Sequence, residues 1–233
     1  MGGFFGIASK KECLVDVFFG TDYHSHLGTK RGGLAAFDDE LGLQRSIHNI
    51  SNSPFRTKFE GIFDEMKGRS AIGCISDSDP QPLIIRSKFG AFAICIIGVI
   101  NNSEALINDF FTESGAHFNA MTSGVVNSTE LVAALITRKN NFVDGIRFAQ
   151  ESIEGTASIL ILKDDGSIIA ARDRVGRLPV LIGKGRDGYA VSFESFAYKK
   201  LDYEDEKELG PGEIVEVTAD SVEQVSPPSK KKR

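Results

Sequence analysis

The sequence predicts an α+β domain in which strands and helices form separate layers. Stretches rich in Val, Ile and Phe, which suit strands, are concentrated early and late in the chain. Helical patterns lie mainly between these two groups. This grouping favours α+β architecture over the regular alternation of strands and helices that a parallel sheet requires. No internal repeat is visible, and a single domain is predicted.

Short apolar runs predict ten strands and one tight hairpin. In chain order the runs are Phe4–Ala8, Leu34–Phe37, Ala71–Ile75, Leu83–Ile85, Phe92–Val99, Ser158–Leu162, Ser167–Ala171, Pro179–Ile182, Tyr189–Phe193 and Ile214–Val217. Asp165-Gly166 stands between two of these runs and predicts the hairpin, because Asp-Gly favours a tight turn. Gly210-Pro211-Gly212-Glu213 predicts the turn before the last strand.

Three helices are predicted between the strand groups. Asn102-Ser103-Glu104 opens a helix over Glu104–Phe111. Ser128-Thr129-Glu130 resembles a helix cap and predicts a helix over Leu131–Arg138. Apolar residues at helical spacing predict a third helix over Val143–Ser152.

The composition of the 233 residues excludes several classes of protein. The chain is 41% hydrophobic with a net charge of −5, which argues against a disordered chain and against nucleic-acid binding through overall charge. No apolar run is long enough for a membrane-spanning helix, and no signal peptide is visible. The expected location is the cytoplasm. The basic run Lys230–Arg233 is interpreted as a solvated terminus or linker.

No metal or cofactor site is expected from the sequence. The chain has three cysteines and four histidines, but no Cys-x-x-Cys and no His-Glu-x-x-His motif. They are Cys13, Cys74, Cys95, His24, His26, His48 and His117. The glycines between Gly28 and Gly33 lack the spacing of a phosphate-binding loop and are interpreted as a structural turn. Asp77 and Asp79 are interpreted as loop residues, with a magnesium site as the weaker alternative.

Several motifs of the chain resemble those of one family. Ala171–Lys184 is similar to an "ARD-x-x-G-x-RPL-x-x-G" stretch, Val191–Ser195 to "ASES", and Glu208–Ile214 to a "PGEI" turn and strand. Gly6–Ala8 resembles the first strand, and Gln81-Pro82 resembles the segment before the central strand. On these motifs, residues 1–226 resemble the glutaminase domain of the amidophosphoribosyltransferases. These are class II glutamine amidotransferases of the N-terminal-nucleophile hydrolase type, which implies a four-layer αββα sandwich.

The resemblance assigns a family role to seven positions, of which five have lost the family's side chain. The cysteine nucleophile becomes Gly2, a loop arginine Leu27, the carboxylate-binding arginine Ser76, the oxyanion asparagine Ile97 and the acidic ammonium partner Ser128, while Gly28 and Gly98 are kept. Covalent acyl transfer needs a nucleophile. A planar guanidinium binds a carboxylate through two parallel hydrogen bonds, which a serine hydroxyl cannot do. We therefore expect a degenerate site with no catalytic residue.

The resemblance implies a non-catalytic glutaminase-like domain over residues 1–226. Residues 227–233 would be a basic tail or the start of a linker to a phosphoribosyltransferase domain. In the family that domain makes phosphoribosylamine from phosphoribosyl pyrophosphate and ammonia, in purine biosynthesis. The expected role is scaffold or regulator of such a domain or subunit, with a homo-oligomer as a further expectation and no nucleic acid, membrane or cofactor as partner.

Three alternatives remain open at this point. The first is a small-metabolite sensor that uses the former glutamine pocket. The second is an active family member with an altered amine source. The third is a hydrolase whose chemistry has moved to Cys74 or Cys95, although thiols in apolar strands are usually poorly reactive.

Overall fold

In a computed structural model, the chain folds into two large antiparallel sheets that face each other. The structure describes residues 2–114, 118–119, 121–122 and 124–229. His117 and the basic run Lys230–Arg233 lie outside the described residues, so the interpretation of the basic run stays a prediction.

The strands and helices follow one another in chain order. The strands are β1 (Gly2–Ser9), β2 (Arg31–Asp38), β3 (Gly42–Asn49), β4 (Ser70–Ser76), β5 (Leu83–Ser87), β6 (Gly90–Ile100), β7 (Met121–Thr122), β8 (Val125–Val126), β9 (Gly155–Lys163), β10 (Ile168–Ala171), β11 (Leu181–Lys184), β12 (Gly188–Ser192), β13 (Glu204–Glu208), β14 (Ile214–Val217) and β15 (Val222–Ser226). The helices are α1 (Leu14–Asp22), α2 (Phe55–Lys58), α3 (Ile62–Glu65), α4 (Ser103–Ser114), α5 (Ser128–Thr137), α6 (Phe142–Ser152) and α7 (Ser195–Lys199). Within the described part of the chain, no helix has the length and hydropathy needed to cross a bilayer.

The two sheets have seven and six strands. The first runs in the order β13-β11-β12-β1-β4-β2-β3, and the second in the order β15-β14-β10-β9-β6-β5. β7 and β8 form a separate short pair. In the first sheet, β1 lies between β12 and β4, and its first residue Gly2 is opposite Ser76, the last residue of β4. The start of β1 and the end of β4 therefore lie at the same end of the sandwich.

Three apolar layers hold the fold together. The central layer joins the facing sheets and includes Phe4 of β1, Ile72 of β4 and Leu160 of β9. On the outer face of the seven-stranded sheet, α1, α2, α3 and α7 pack against residues such as Phe5. On the outer face of the six-stranded sheet, α5 and α6 pack against residues such as Ile94. These layers confirm the predicted α+β, αββα sandwich.

The alternation of side chains along a strand explains why β6 is apolar throughout. Ala93, Cys95 and Ile97 face the central layer between the sheets. Phe92, Ile94 and Ile96 face the helices on the other side. A strand covered on both faces reads as a continuous hydrophobic run, as the sequence does here.

Two predicted turns are confirmed. Gly166 has a φ of +83° and joins the antiparallel strands β9 and β10. Gly212 has a φ of +69° in the turn before β14, where Glu213 N–H donates to Gly210 O over 3.0 Å. Both positions require the left-handed backbone that glycine adopts without a steric penalty.

Other predictions need correction. The structure adds elements that the sequence patterns did not predict, namely α1, α2, α3, α7, β3, β13, β15 and the short pair β7 and β8. The strand predicted at Pro179–Ile182 begins instead at Leu181. Gly32 and Gly33, predicted to lie in a turn, lie within β2. Ser128 is not a cap but the first residue of α5, because the side chain of Asn127 accepts from the N–H groups of Thr129 and Glu130.

Candidate functional site

The seven positions singled out in the sequence converge at one end of the sandwich. Ser76, Ile97, Gly98 and Ser128 line a single pocket of about 380 Å³. The other three positions are not among its lining residues, but Gly2 and Gly28 lie close to Ile97 and Ser76, which are. A Cβ atom on Gly2 would lie 3.0 Å from Ile97 Cδ1, and one on Gly28 would lie 3.3 Å from the carbonyl carbon of Ser76. Leu27 Cδ1 would lie 2.9 Å from a Cβ atom on Gly3.

The start of β1 leaves no room for a side chain at residue 2. A Cβ atom built on Gly2 would overlap the carbonyl oxygen of Ile75 on β4. That oxygen belongs to the backbone, so relief would require the two strands to move apart. In this structure, residue 2, the position that the resemblance assigns to the nucleophile, has room for glycine only.

The loop that carries Leu27 and Gly28 is attached to the end of β4. Asp77 accepts a hydrogen bond of 2.7 Å from Thr29 N–H. This hydrogen bond is the largest cause that lowers the pKa of the Asp77 carboxyl group below its ordinary value. The hydrogen bond therefore favours the ionised carboxylate, which holds the loop beside the end of β4.

The N-terminus of α5 forms the opposite wall of the pocket. Asp79 Oδ2 accepts from Ser128 N–H over 3.0 Å, and Asn127 Oδ1 accepts from Thr129 N–H over 2.8 Å. Asn127 Nδ2 also donates to Pro80 O over 3.0 Å. Asp79 and Asn127 thus satisfy N–H groups that the first turn of a helix leaves without helical partners.

A buried glutamine joins this wall to β6. Gln81 is 2% exposed, and its Oε1 accepts from Ile96 N–H and from Thr129 Oγ1, each over 2.8 Å. Its Nε2 donates to Ile96 O over 2.9 Å. Gln81 was predicted as a motif residue but not as part of the site. A polar residue two positions before an apolar strand was the signal available in the sequence.

A buried histidine supports the other side of the loop. His24 is fully buried, with Nδ1 2.7 Å from Gly20 O and Nε2 3.2 Å from Ser192 Oγ. Because a carbonyl oxygen only accepts, Nδ1 carries the proton of the neutral ring. Burial lowers the pKa of His24 below its ordinary value of 6.5.

The cysteines lie outside the pocket lining and are buried. Cys74 Sγ donates to Gln81 O over 3.3 Å, and Cys95 lies in the central layer between the sheets. Burial raises the pKa of the Cys95 thiol well above its ordinary value. A thiol in this environment is a poor nucleophile at neutral pH. The geometry therefore gives no support to chemistry relocated to Cys95.

The pocket contains hydroxyl groups and the carboxylates of Asp77 and Asp79. Ser76 Oγ lies 3.2 Å from Ser78 Oγ. No histidine, lysine or arginine is among the described lining residues. A serine nucleophile needs an adjacent base. Across the described part of the chain, no three His, Cys, Asp or Glu side chains form a group that could hold a metal ion.

Replacement of Gln81 should destabilise the protein strongly. In the Gln81→Leu variant, the N–H and C=O of Ile96 and the hydroxyl of Thr129 lose their buried partner. We expect the free energy of unfolding to fall by about 3 kcal/mol or more, since each unpaired buried group costs about 1–3 kcal/mol. Urea denaturation measures the loss.

Gln44→Leu is the matched control for this replacement. Gln44 also bridges backbone groups, those of Lys67, but at a partly exposed position where water can replace it. We expect a loss within about 1 kcal/mol. Equal losses in the two variants would contradict the role assigned to Gln81.

His24 should make the stability depend on pH. Its pKa is lowered in the folded state, so the unfolded chain takes up the proton first as the pH falls below about 6.5. The stabilisation from the neutral buried ring is complete above that pH and is lost as the pH falls toward the folded-state pKa. Linkage limits the loss between about pH 7.5 and pH 5 to about 2 kcal/mol.

Urea denaturation of His24→Gln across this pH range measures the effect. That variant should lose this part of the pH dependence, whereas His48→Gln should retain it. An unchanged pH profile in His24→Gln would show that another group is responsible.

Comparisons with known proteins agree with this geometry. The sequence profile described as "Glutamine amidotransferase domain" matches residues 67–200. The amidophosphoribosyltransferase of Methanocaldococcus jannaschii is 29% identical over 226 residues, which cover 93% of this chain and 47% of that protein. The chain thus spans about half the length of the curated relatives it matches.

Solved structures show the same likeness. The glutamine phosphoribosylpyrophosphate amidotransferase of Bacillus subtilis, complexed with ADP and GMP, matches with a TM-score of 0.82 and 25% identity, over 96% of this chain and 49% of that one. A structure described as the allosteric regulatory enzyme of purine biosynthesis matches with a TM-score of 0.83 and 25% identity, over the same shares of the two chains. These matches confirm the fold of the N-terminal-nucleophile hydrolase type. With more than half of its length matched by the profile, this chain belongs to the glutamine amidotransferase domain family and is homologous to the glutamine amidotransferase domain of the amidophosphoribosyltransferases of purine biosynthesis.

Proposed function

We propose that this chain is a non-catalytic glutamine amidotransferase-like domain that acts as scaffold or regulator of a phosphoribosyltransferase. One observation carries the proposal. The pocket that four of the family's site positions line has no cysteine and no histidine, lysine or arginine among its described lining residues. The family fold is present, while the side-chain chemistry at these positions is replaced.

Each replacement removes a functional group that glutamine hydrolysis needs, which supports the absence of glutaminase activity. Gly2 offers no side chain for covalent attack, and acyl transfer through an intermediate depends on one. Ile97 replaces an amide donor, and loss of one oxyanion-hole donor costs about 3 kcal/mol of transition-state stabilisation. Ser76 and Ser128 remove both charged partners of the amino-acid substrate. These losses act on binding and on chemistry together, so no single remaining group offsets them.

The domain boundaries are proposed as residues 1–226 for the glutaminase-like domain and 227–233 for a tail or linker. β15, the last described strand, ends at Ser226, which supports the boundary. Arg147 Nε donates to Ser226 Oγ over 2.8 Å and so connects this end of the sheet to α6.

The proposed partner is a phosphoribosyltransferase domain or subunit that uses free ammonia or another amine. The share of each relative that lies outside the matched region is large enough for such a domain.

A small-metabolite sensor is the second candidate function. The observation in its favour is the pocket itself, because a cavity of about 380 Å³ lies within the size range of small-molecule sites. Sensing would be compatible with a regulatory role, since a ligand that binds the folded domain stabilises it by mass action.

The first test measures glutamine hydrolysis. We expect the chain to release glutamate no faster than a buffer blank, with or without phosphoribosyl pyrophosphate, because no cysteine is among the described lining residues of the pocket. Gly2→Cys should also be inactive, since its side chain would overlap Ile75 O and glutamine would still lack charged partners. An assay coupled to glutamate dehydrogenase detects release.

The amidophosphoribosyltransferase of Bacillus subtilis serves as the positive control for this assay. Gly61→Cys adds a thiol where a Cβ atom meets no heavy atom within 4 Å, and it controls for thiol reactivity away from the pocket. Release of glutamate by the unaltered chain would refute the non-catalytic proposal and favour an active family member.

The second test concerns the partner. We expect the tagged chain, purified from its own cells, to carry phosphoribosyltransferase activity that forms phosphoribosylamine from phosphoribosyl pyrophosphate and ammonia. The physical reason is that a scaffold must stay bound to the domain it supports. An eluate with intact tagged chain and without that activity would contradict the scaffold or regulator role.

A further inference from the structure

A groove of about 860 Å³ lies along β5, the last strand at one edge of the six-stranded sheet. Every residue of β5 lines it, and its other described lining residues come mainly from β3, α4, α5 and the segment between the two helices. Because side chains alternate along a strand, residues from both faces of β5 border the same groove. The groove therefore follows the outer edge of the strand.

The direction of the backbone groups in β5 follows from its neighbour β6. Ile96 of β6 directs both its N–H and its C=O at the side chain of Gln81, which directly precedes β5 along the chain. Backbone direction alternates along an antiparallel strand, so Phe92, four residues earlier, points the same way and pairs with Ile85. The two residues on either side of Ile85 therefore direct their backbone groups away from β6.

These outward backbone groups belong to Ile84 and Arg86. No strand lies beyond β5 in its sheet, and within the described part of the chain no backbone hydrogen bond reaches these groups from another element. An open edge of this kind can accept an extended peptide as a further strand.

The groove is basic on the side where the two sheets open. Leu43 of β3 and Ile84 of β5 pack against the central layer. Arg45 and Arg86 each follow two positions later, so they lie on the same faces of their strands, at the mouth between the sheets. Both are exposed, and their side chains form no hydrogen bond, ion pair or ring contact with the described residues. Lys88, also exposed, adds a third cation to the lining.

The helix-facing side of the groove is largely apolar. Leu83 and Ile85 belong to the apolar layer beneath α5 and α6, and Phe118 borders the groove on the same side. Among the described lining residues the one carboxylate is that of Glu130, which accepts from Asn119 N–H over 2.9 Å. The edge of β5 thus separates a basic side from an apolar side.

We propose that β5 is a docking edge for an extended partner segment in which acidic and apolar residues alternate. The segment adds as an antiparallel strand, like its neighbours in the sheet. Its acidic side chains lie beside Arg45 and Arg86, and its apolar side chains cover Leu83, Ile85 and Phe118. The inference goes beyond the proposed function, because this groove and the pocket at the family's positions share no described lining residue.

Isothermal titration calorimetry on the full chain tests the inference with synthetic peptides. The probe is acetyl-Glu-Leu-Glu-Phe-Glu-Leu-Glu-amide, which we expect to bind saturably although the chain itself has a net charge of −5. The same peptide with Lys in place of Glu should bind about tenfold more weakly or worse, because its charges oppose the arginines. The rearranged peptide acetyl-Glu-Glu-Leu-Phe-Leu-Glu-Glu-amide should lose as much, because its side chains no longer alternate between two faces.

N-methylation separates strand pairing from binding through side chains alone. Directly opposed residues of antiparallel strands carry their side chains on the same face, so the glutamates lie opposite Ile84 and Arg86 and direct their N–H groups at β5. N-methylation of the two inner glutamates should weaken binding about tenfold or more. N-methylation of the two leucines, whose N–H groups point away from β5, should change the affinity less than about threefold.

Charge-reversed variants connect the binding to named side chains. Arg45→Glu combined with Arg86→Glu should bind the glutamate peptide about tenfold more weakly or worse and should gain affinity for the lysine peptide. Arg174→Glu combined with Arg177→Glu is the matched control, because it makes the same change of charge at exposed arginines outside the groove. The control should bind both peptides as the unaltered chain does, and thermal unfolding checks that both variants fold.

The outcomes are decisive for the docking edge. Absence of binding by the glutamate peptide, or full affinity in the Arg45 and Arg86 double variant, would overturn the inference. Equal binding of the rearranged peptide, or binding that survives N-methylation of the inner glutamates, would show a site for acidic molecules of any shape and would also overturn it. None of these results bears on glutamate release, which tests the non-catalytic proposal separately.

Discussion

The assembly of the pocket depends on the hydrogen bonds of one buried side chain, that of Gln81. Its amide pairs with both backbone groups of Ile96 on β6 and accepts from Thr129 on α5. Its own carbonyl oxygen accepts from Cys74 on β4 and lies against β2 where a Cβ atom on Gly33 would overlap it. Four elements thus meet at one residue. Because an unpaired buried polar group is costly, these elements can take only the arrangement that satisfies the amide.

Close backbone packing is the second constraint on this end of the molecule. Gly2 touches the backbone of β4, and a Cβ atom on Gly98 would overlap the carbonyl oxygen of Thr156 on β9. In this structure these two positions leave no room for a side chain, whereas Ser76 and Ser128 carry hydroxyl groups at the pocket and Ile97 belongs to the core between the sheets. Backbone contact and core packing thus fix this end of the sandwich, and the serine side chains line its pocket.

Local sequence patterns predicted the elements that are marked by continuous apolar runs, by turn residues or by helical spacing. β6, β9 and the hairpin to β10 follow from continuous apolar runs and an Asp-Gly turn, and α6 follows from helical spacing. α1 was missed because Val and Phe, which favour strands, dominate it, and its helical form depends on packing against β1 and β4. β13 was missed because Glu204–Glu208 has no apolar pattern, and it is a strand only through its pairing with β11.

The amino-acid sequence alone was sufficient for the fold class and for the family resemblance, and it predicted which side chains of the family's site are replaced. These properties depend on residue type and short-range order, which a sequence states directly. It did not reveal that Asp79 and Asn127 occupy the N-terminus of α5, nor that Gln81 pairs with Thr129, which is 48 residues away. Those pairings arise only when distant segments are packed together, because every buried polar group then has to find a partner among the groups that the fold brings near it.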